Sequence, residues 1–395
     1  MDMEANQKTT LICNISAFNI FREILSKAPM AALLKLLKCG DDIFEKSALY
    51  GEFVASLAEY NNSFSEFLKK AVCESENRYI VLKSQGKEIP ASLEENCKRE
   101  LSVLSELTRL KGTDICDFSE NIYSPQFDNS YIDFIEMYSK RASCVSSYGY
   151  GIFATSKMFR VSNGEIYPID FSDDISLDDF VGYEDERRRV YDNIEALTQG
   201  RPALNTLLCG DAGTGKSSTV KACANHFFDS GVRLIELRKD QLFDLPYIMS
   251  RIEGNPLKFI IFIDDLSFNK NDDCFSMLKA VLEGSATGKA SNAVIVATSN
   301  RRHIVKESFA ERQERTTFTV PTQCRSLCPC QTGSVLLYYF SKPNKALYLE
   351  IVHQLAEKAD LNIPSDELDI KAEAFALSKG SRSPRAAEQF INSLI

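Results

Sequence analysis

Gly210-Asp211-Ala212-Gly213-Thr214-Gly215-Lys216-Ser217 satisfies the pattern G-x-x-x-x-G-K-[ST], and its surroundings give that match meaning. Leu207 and Leu208 lead in as a short apolar strand, and Ser218 to His226 leads out with the composition of a helix. Glycines let the backbone curl until several N–H groups converge on one anion. The helix that follows turns its positive end toward the same point. In such a loop Lys216 reaches β- and γ-phosphates as a point charge, and the Ser217 hydroxyl ligates magnesium. Residues Gly210 to Ser218 therefore read as a triphosphate cradle.

A second segment completes that chemistry. Phe259-Ile260-Ile261-Phe262-Ile263 is an apolar run ending in Asp264-Asp265. It reads as a buried strand that delivers two carboxylates at its end. Asp264 is expected to hold magnesium through water, and Asp265 to orient or polarise an attacking water. Many sites of this kind carry Glu at the second position, and Asp is shorter by one methylene.

With 395 residues the chain is long enough for two or three domains. Its net charge of −9 and the lack of a long Lys/Arg run count against general affinity for nucleic acid, leaving only a local basic patch open. The N-terminal Met1 to Lys8 shows no basic region followed by an apolar stretch, so no signal peptide is expected. No apolar run approaches the roughly 18–20 residues needed to span a bilayer. The 12 cysteines are scattered without a small-domain framework, which fits reduced thiols in a cytoplasm.

Residues 1–145 read as a helical N-terminal domain. Leu93, Cys97, Leu101, Leu104, Leu107 and Leu110 recur at three- and four-residue spacing and make one apolar face. Comparable stripes run through Ile15–Leu37, interrupted at Pro29, and through Phe44–Val72. Residues 146–176 form a hairpin and linker, with Asn163-Gly164 between β-prone runs as the turn. From Leu177 onward short β-prone runs (Arg233–Leu237, Lys258–Asp264, Ala293–Ser299) alternate with helical stretches. That alternation predicts an α/β, doubly wound parallel sheet over 177–342, with ligands at the carboxyl ends of its strands. Residues 343–395 read as a helical lid, with a stripe at Leu347, Ile351, Val352, Leu355 and Ala359 and a last helix opened by Pro384.

These segments resemble the AAA+ ATPases, and within them a bacterial family known as a domain of unknown function. The resemblance covers roughly 177–312 and 338–395. Leu177-Asp-Asp-Phe-Val-Gly-Tyr183 looks like the segment lying against adenine, which puts Val181 and Gly182 beside the base. Asp265-Leu-Ser-Phe268 and Leu278 to Gly284 follow the second strand as in that family. Ala297 to His303 looks like its sensor-1 segment, with Asn300 as the sensor; Ser381 to Ala387 resembles the start of the sensor-2 helix, with Arg385 ahead of Arg382 as its arginine. An amide at 300 would hydrogen-bond the γ-phosphate and the attacking water, and a lid arginine would bridge to the γ-phosphate and report its loss. The resemblance implies ATP and Mg2+ as cofactors and assembly into a homo-oligomer.

Residues 316–336 depart from the family. They hold one charge, in a chain averaging 26% charged, where the family has an acidic helical segment ending in Ser-Asp-Arg-Phe-Gly. Cys324, Cys328 and Cys330, with His303, offer one reading as zinc ligands, although the spacing is poor and no fourth ligand is evident. A second reading is translation out of frame. Permitted codons for Thr316 to Val335, read one base earlier, can encode a run ending in Ser-Asp-Arg-Phe-Gly, which implies compensating shifts near Gln313 and Leu337. In many AAA+ proteins the arginine near the end of this segment acts on a neighbouring subunit's γ-phosphate, a contribution of about 10³–10⁵ in rate. Gly333 occupies that position here, with Arg312 and Arg315 the nearest substitutes.

Three functions compete on this reading: an oligomeric ATPase that moves a partner protein or its own N-terminal half; a nucleotide-dependent switch or scaffold with little turnover; and remodelling of nucleic acid, which the acidic balance disfavours.

Overall fold

The computed structural model describes residues 5–116, 118, 122–169, 175–266, 291–300 and 335–395. The chain divides into two compact units, Met1–Thr155 and Ser156–Ile395. The segments Leu278–Gly284, Arg301–His303, Arg312, Arg315, the zinc reading and residues 316–334 lie outside the described residues.

The first unit is helical: α1 (Ala5–Ser16), α2 (Ala28–Lys38), α3 (Ile43–Ala55), α4 (Phe64–Cys73), α5 (Arg78–Ser84), α6 (Ala91–Leu107), α7 (Gly112–Ile115), α8 (Phe134–Ser143) and α9 (Val145–Tyr148). The apolar face read from the sequence is the buried face of α6, where Cys97, Leu101, Leu104 and Leu107 enter the core, while Leu110 lies beyond the helix end. Pro29 starts α2 rather than interrupting a longer helix, since the first turn needs no N–H from it. The Phe44–Val72 stripe is likewise two helices. Asn61 and Asn62, both at positive φ, reverse the chain between them, and Phe44 is exposed. Phenylalanines dominate this core, with edge-to-face contacts such as Phe53 on Phe64 and on Phe127.

The second unit contains a seven-stranded sheet of β1 (Met158–Ser162), β2 (Glu165–Pro168), β3 (Asn205–Gly210), β4 (Val232–Leu237), β5 (Lys258–Ile263), β6 (Ala293–Ser299) and β7 (Val335–Phe340). The order is β2-β1-β4-β5-β6-β3-β7. Every pairing except β1–β2 is parallel. Residues 146–176 thus divide differently from the expected join: the hairpin around Asn163-Gly164 belongs to the sheet, because β1 pairs in parallel with β4. No strand was read at 335–340, yet β7 covers the edge of β3 along its whole length.

Helices α10 (Glu184–Thr198), α11 (Lys216–His226) and α12 (Leu245–Ile252) belong to the sheet region, and α13 (Lys345–Lys358), α14 (Ser365–Ser378) and α15 (Pro384–Asn392) form a separate helical cluster. Five consecutive residues of β5 are buried, as a strand covered on both faces requires. Leu208, Val220, Cys223, Leu234, Ile260 and Val296 make part of the core between sheet and helices. The sheet core and the helical cluster give the α/β, doubly wound architecture with a C-terminal lid.

Candidate functional site

The phosphate-loop residues follow the end of β3, and the loop closes into α11 at Gly215. Gly210 is forced by its neighbour: a β-carbon there would overlap the Phe340 carbonyl of β7, and its φ of +147° lies where side chains are rarely tolerated. Gly213, at φ +76°, lies under the start of α15, and a β-carbon on it would meet Arg385 Cβ and Ser383 Oγ, each at 3.2 Å. The Arg385 N–H also donates to the Gly213 carbonyl at 3.3 Å. The lid helix therefore starts directly on the loop.

Lys216 is buried, with 5% of its surface exposed, and its Nζ donates to the carbonyls of Gly210 at 3.1 Å and Asp211 at 2.7 Å. Burial pushes this ammonium below its ordinary value, and the nearby Asp211, Cys209, Asp264 and Asp265 act in the opposite direction. A cation held on neutral carbonyls is poised for exchange onto an anion. Asp211 is itself fixed, its side chain accepting from the Lys342 N–H at 3.0 Å just beyond β7. Thr214 is buried and donates to the Asp211 carbonyl at 2.9 Å; Ala212 is exposed, and Ser218 is half-buried in the first turn of α11.

The structure brings Ser217 and Asp264 together. The Ser217 Oγ donates to Asp264 Oδ1 at 2.6 Å. A hydroxyl whose proton points at a carboxylate keeps its lone pairs for a cation, so this pair fits a hard, oxygen-seeking metal such as magnesium. Thr298, on β6, also donates to Asp264 Oδ1 at 2.6 Å and accepts from the Asp265 N–H at 2.9 Å. Asp265 adopts φ +49° and accepts from the Asn300 amide at 2.6 Å. Thus Ser217, Asp264, Asp265 and Asn300 form one connected group.

Arg385 and Arg382 separate. Arg382 is held by Glu373 of α14 through two bonds, Nε at 2.9 Å and Nη2 at 2.7 Å. That pairing holds the Glu373 carboxyl below its usual range. Arg385 is exposed beside the loop. Val181 and Gly182 are buried against the lid: Val181 shares its core, and a β-carbon on Gly182 would touch Leu347 and Ile351. The sequence reading placed Thr298 in the Ala297–His303 segment and Tyr183 at the end of Leu177–Tyr183 but gave neither a role; the Tyr183 hydroxyl donates to the Ser341 carbonyl at 2.6 Å.

A phosphate loop after an inner strand of a mostly parallel sheet, facing the acids that follow β5 and joined by a C-terminal helical cluster, is the architecture of a P-loop nucleotide-binding core. Residues 154–395 match a family described as "Protein of unknown function (DUF815)". The chain belongs to that family. No curated protein matches it. Among solved structures it is similar to "Replication initiator DnaA bound to AMPPCP and single-stranded DNA", with 16% identity, 57% of this chain, 66% of that chain and a TM-score of 0.38. The match therefore spans just under two thirds of that chain. It is also similar to the Thermotoga maritima RuvB Holliday junction branch migration motor, with 13% identity over 56% of this chain and 72% of that one, at a TM-score of 0.33. Among the described residues no helix is long and apolar enough to cross a membrane.

Proposed function

We propose that this chain binds a magnesium-bound nucleoside triphosphate, ATP by family expectation, and hydrolyses it to drive conformational change in an unidentified protein partner. The observation that carries the reading is the 2.6 Å bond between Ser217 and Asp264 beside the buried Lys216. Lys216 would leave its carbonyls for the β- and γ-phosphates, with the N–H groups at the start of α11 facing the same anion. Ser217 and Asp264 would hold magnesium, which supplies charge neutralisation on the phosphates. Asp265 would orient the attacking water, Asn300 would contact water and γ-phosphate, and Arg385 would reach the γ-phosphate from the lid. Val181 and Gly182 would flank the base. Homo-oligomeric assembly and a cytoplasmic setting complete the reading.

A second reading, a nucleotide-dependent switch with little turnover, draws support from one contact. The Asn300 amide bonds directly to Asp265 at 2.6 Å, which occupies the acid that hydrolysis needs. Nucleotide binding tests the common ground. Calorimetric titration of ATP with Mg2+ should give saturable binding, and Lys216→Ala should weaken it by roughly 30- to 150-fold, the loss of a charged hydrogen-bonding group of about 2–3 kcal/mol. Equal affinity in the variant would remove the site assignment.

A further inference from the structure

We infer that Thr298 is the positioning residue of the metal-binding carboxylate, the group through which β6 sets the metal response of the site; the inference rests on the reading proposed above. The backbone places Thr298 there by register. Strands β5 and β6 run parallel with Phe262 opposite Val296 and Ile263 opposite Ala297, so the next residues are Asp264 and Thr298. Thr298 also faces Leu208 of β3, which fixes the strand from its other side. A slip of one residue would turn the hydroxyl to the opposite face of the sheet.

From that position Thr298 makes three bonds to three successive residues. Its hydroxyl gives its one proton to Asp264 Oδ1 at 2.6 Å and accepts from the Asp265 N–H at 2.9 Å. Its carbonyl accepts from the Leu266 N–H at 2.8 Å. The hydroxyl is thus used as donor and acceptor at once, and the residue is 2% exposed, so water does not replace it.

Two consequences follow for a metal. First, Asp264 Oδ1 already accepts from Ser217, Thr298 and the Asp265 N–H, at 2.6, 2.6 and 3.1 Å. Among the described residues Oδ2 takes no such bond, which leaves it for the metal's water shell. Second, the positive φ of Asp265, uncommon for a residue with a side chain, is held by the Thr298 hydroxyl on one side and the Leu266 tie on the other. That bend puts the Asp265 carboxylate against Asn300. One buried hydroxyl therefore orients both acids.

The test uses the full chain, with ATP as probe in excess Mg2+ and again in EDTA, comparing wild type, Thr298→Val and Thr298→Ser. Mn2+ affinity of the ATP complex, read by electron paramagnetic resonance, gives the metal directly. Partners that orient metal ligands typically contribute about 10–100-fold in metal affinity. Thr298→Val should lose about that factor for Mn2+ and for the gain that Mg2+ gives ATP binding, with affinity in EDTA unchanged. Thr298→Ser should keep the wild-type values. An unaltered metal response in the valine variant overturns the inference, as does an equal loss with and without metal. Should the valine variant fail to fold, Thr298→Ala, which removes the hydroxyl without adding bulk, is read by the same criteria. A wild-type chain that binds no ATP under either condition brings down the underlying reading and this inference with it.

Discussion

Asp264 Oδ1 accepts from a hydroxyl 47 residues upstream and another 34 residues downstream. The sequence makes Ser217 and Asp264 legible, because each sits in a local pattern with a recognisable chemistry. It gives no sign of what Thr298 does within its segment, since a threonine in a strand is usually there for its β-branched shape. The same distinction applies at Tyr50 in the helical unit. Its hydroxyl is buried with no hydrogen-bond partner among the described residues, and a β-carbon on Gly112 would lie 2.4 Å from it. Gly112→Ala should therefore cost about 1–3 kcal/mol by overpacking. Tyr50→Phe, which removes an unsatisfied polar atom, should be neutral or stabilising by up to about 1 kcal/mol. Urea unfolding of both singles and the double variant checks this: the alanine penalty should shrink markedly in the Tyr50→Phe background.

Among the elements, α6 shows what periodicity captures and what it omits. Cys97, Leu101 and Leu104 announce its buried face, but Glu100 lies on that face too and is 8% exposed. Its carboxylate accepts from the N–H groups of Asn19, Ile20 and Phe21, at 2.8 to 3.2 Å, and so ties the segment after α1 to the middle of α6. A glutamate in an apolar stripe looks like an interruption until its partners, some 80 residues away, are known. Glu100→Ala would leave buried N–H groups unpaired and should destabilise the first unit by about 2–4 kcal/mol, whereas Glu100→Gln, which keeps one acceptor, should cost less. Thermal unfolding followed by circular dichroism would rank them. In the second unit, β7 escaped the sequence reading although Val335 to Phe340 is β-prone, because the run adjoins a stretch whose composition fits neither strand nor helix.

For the whole molecule, the proposed reading makes turnover depend on a second copy of the chain. Steady-state ATP hydrolysis per subunit should rise with protein concentration if a neighbour completes the site, and a chain carrying the alternative-frame segment with its arginine should exceed this one by about 10³- to 10⁵-fold. A rate independent of concentration and equal in both chains would remove the trans-acting group from the account. What the sequence determined by itself were the local devices: the phosphate loop, the Asn163-Gly164 hairpin, the strand character of β4, β5 and β6, and the stripes of α6 and α13. Each is written in residues a few positions apart, where backbone preference and hydrophobic period act. Tertiary structure alone decided that the hairpin extends the sheet, that α15 rests on Gly213, that Glu373 takes Arg382 while Arg385 stays exposed, and that Thr298 orients the acids. Parallel strands must be joined by long crossovers, so their register sets contacts between residues that no local pattern relates.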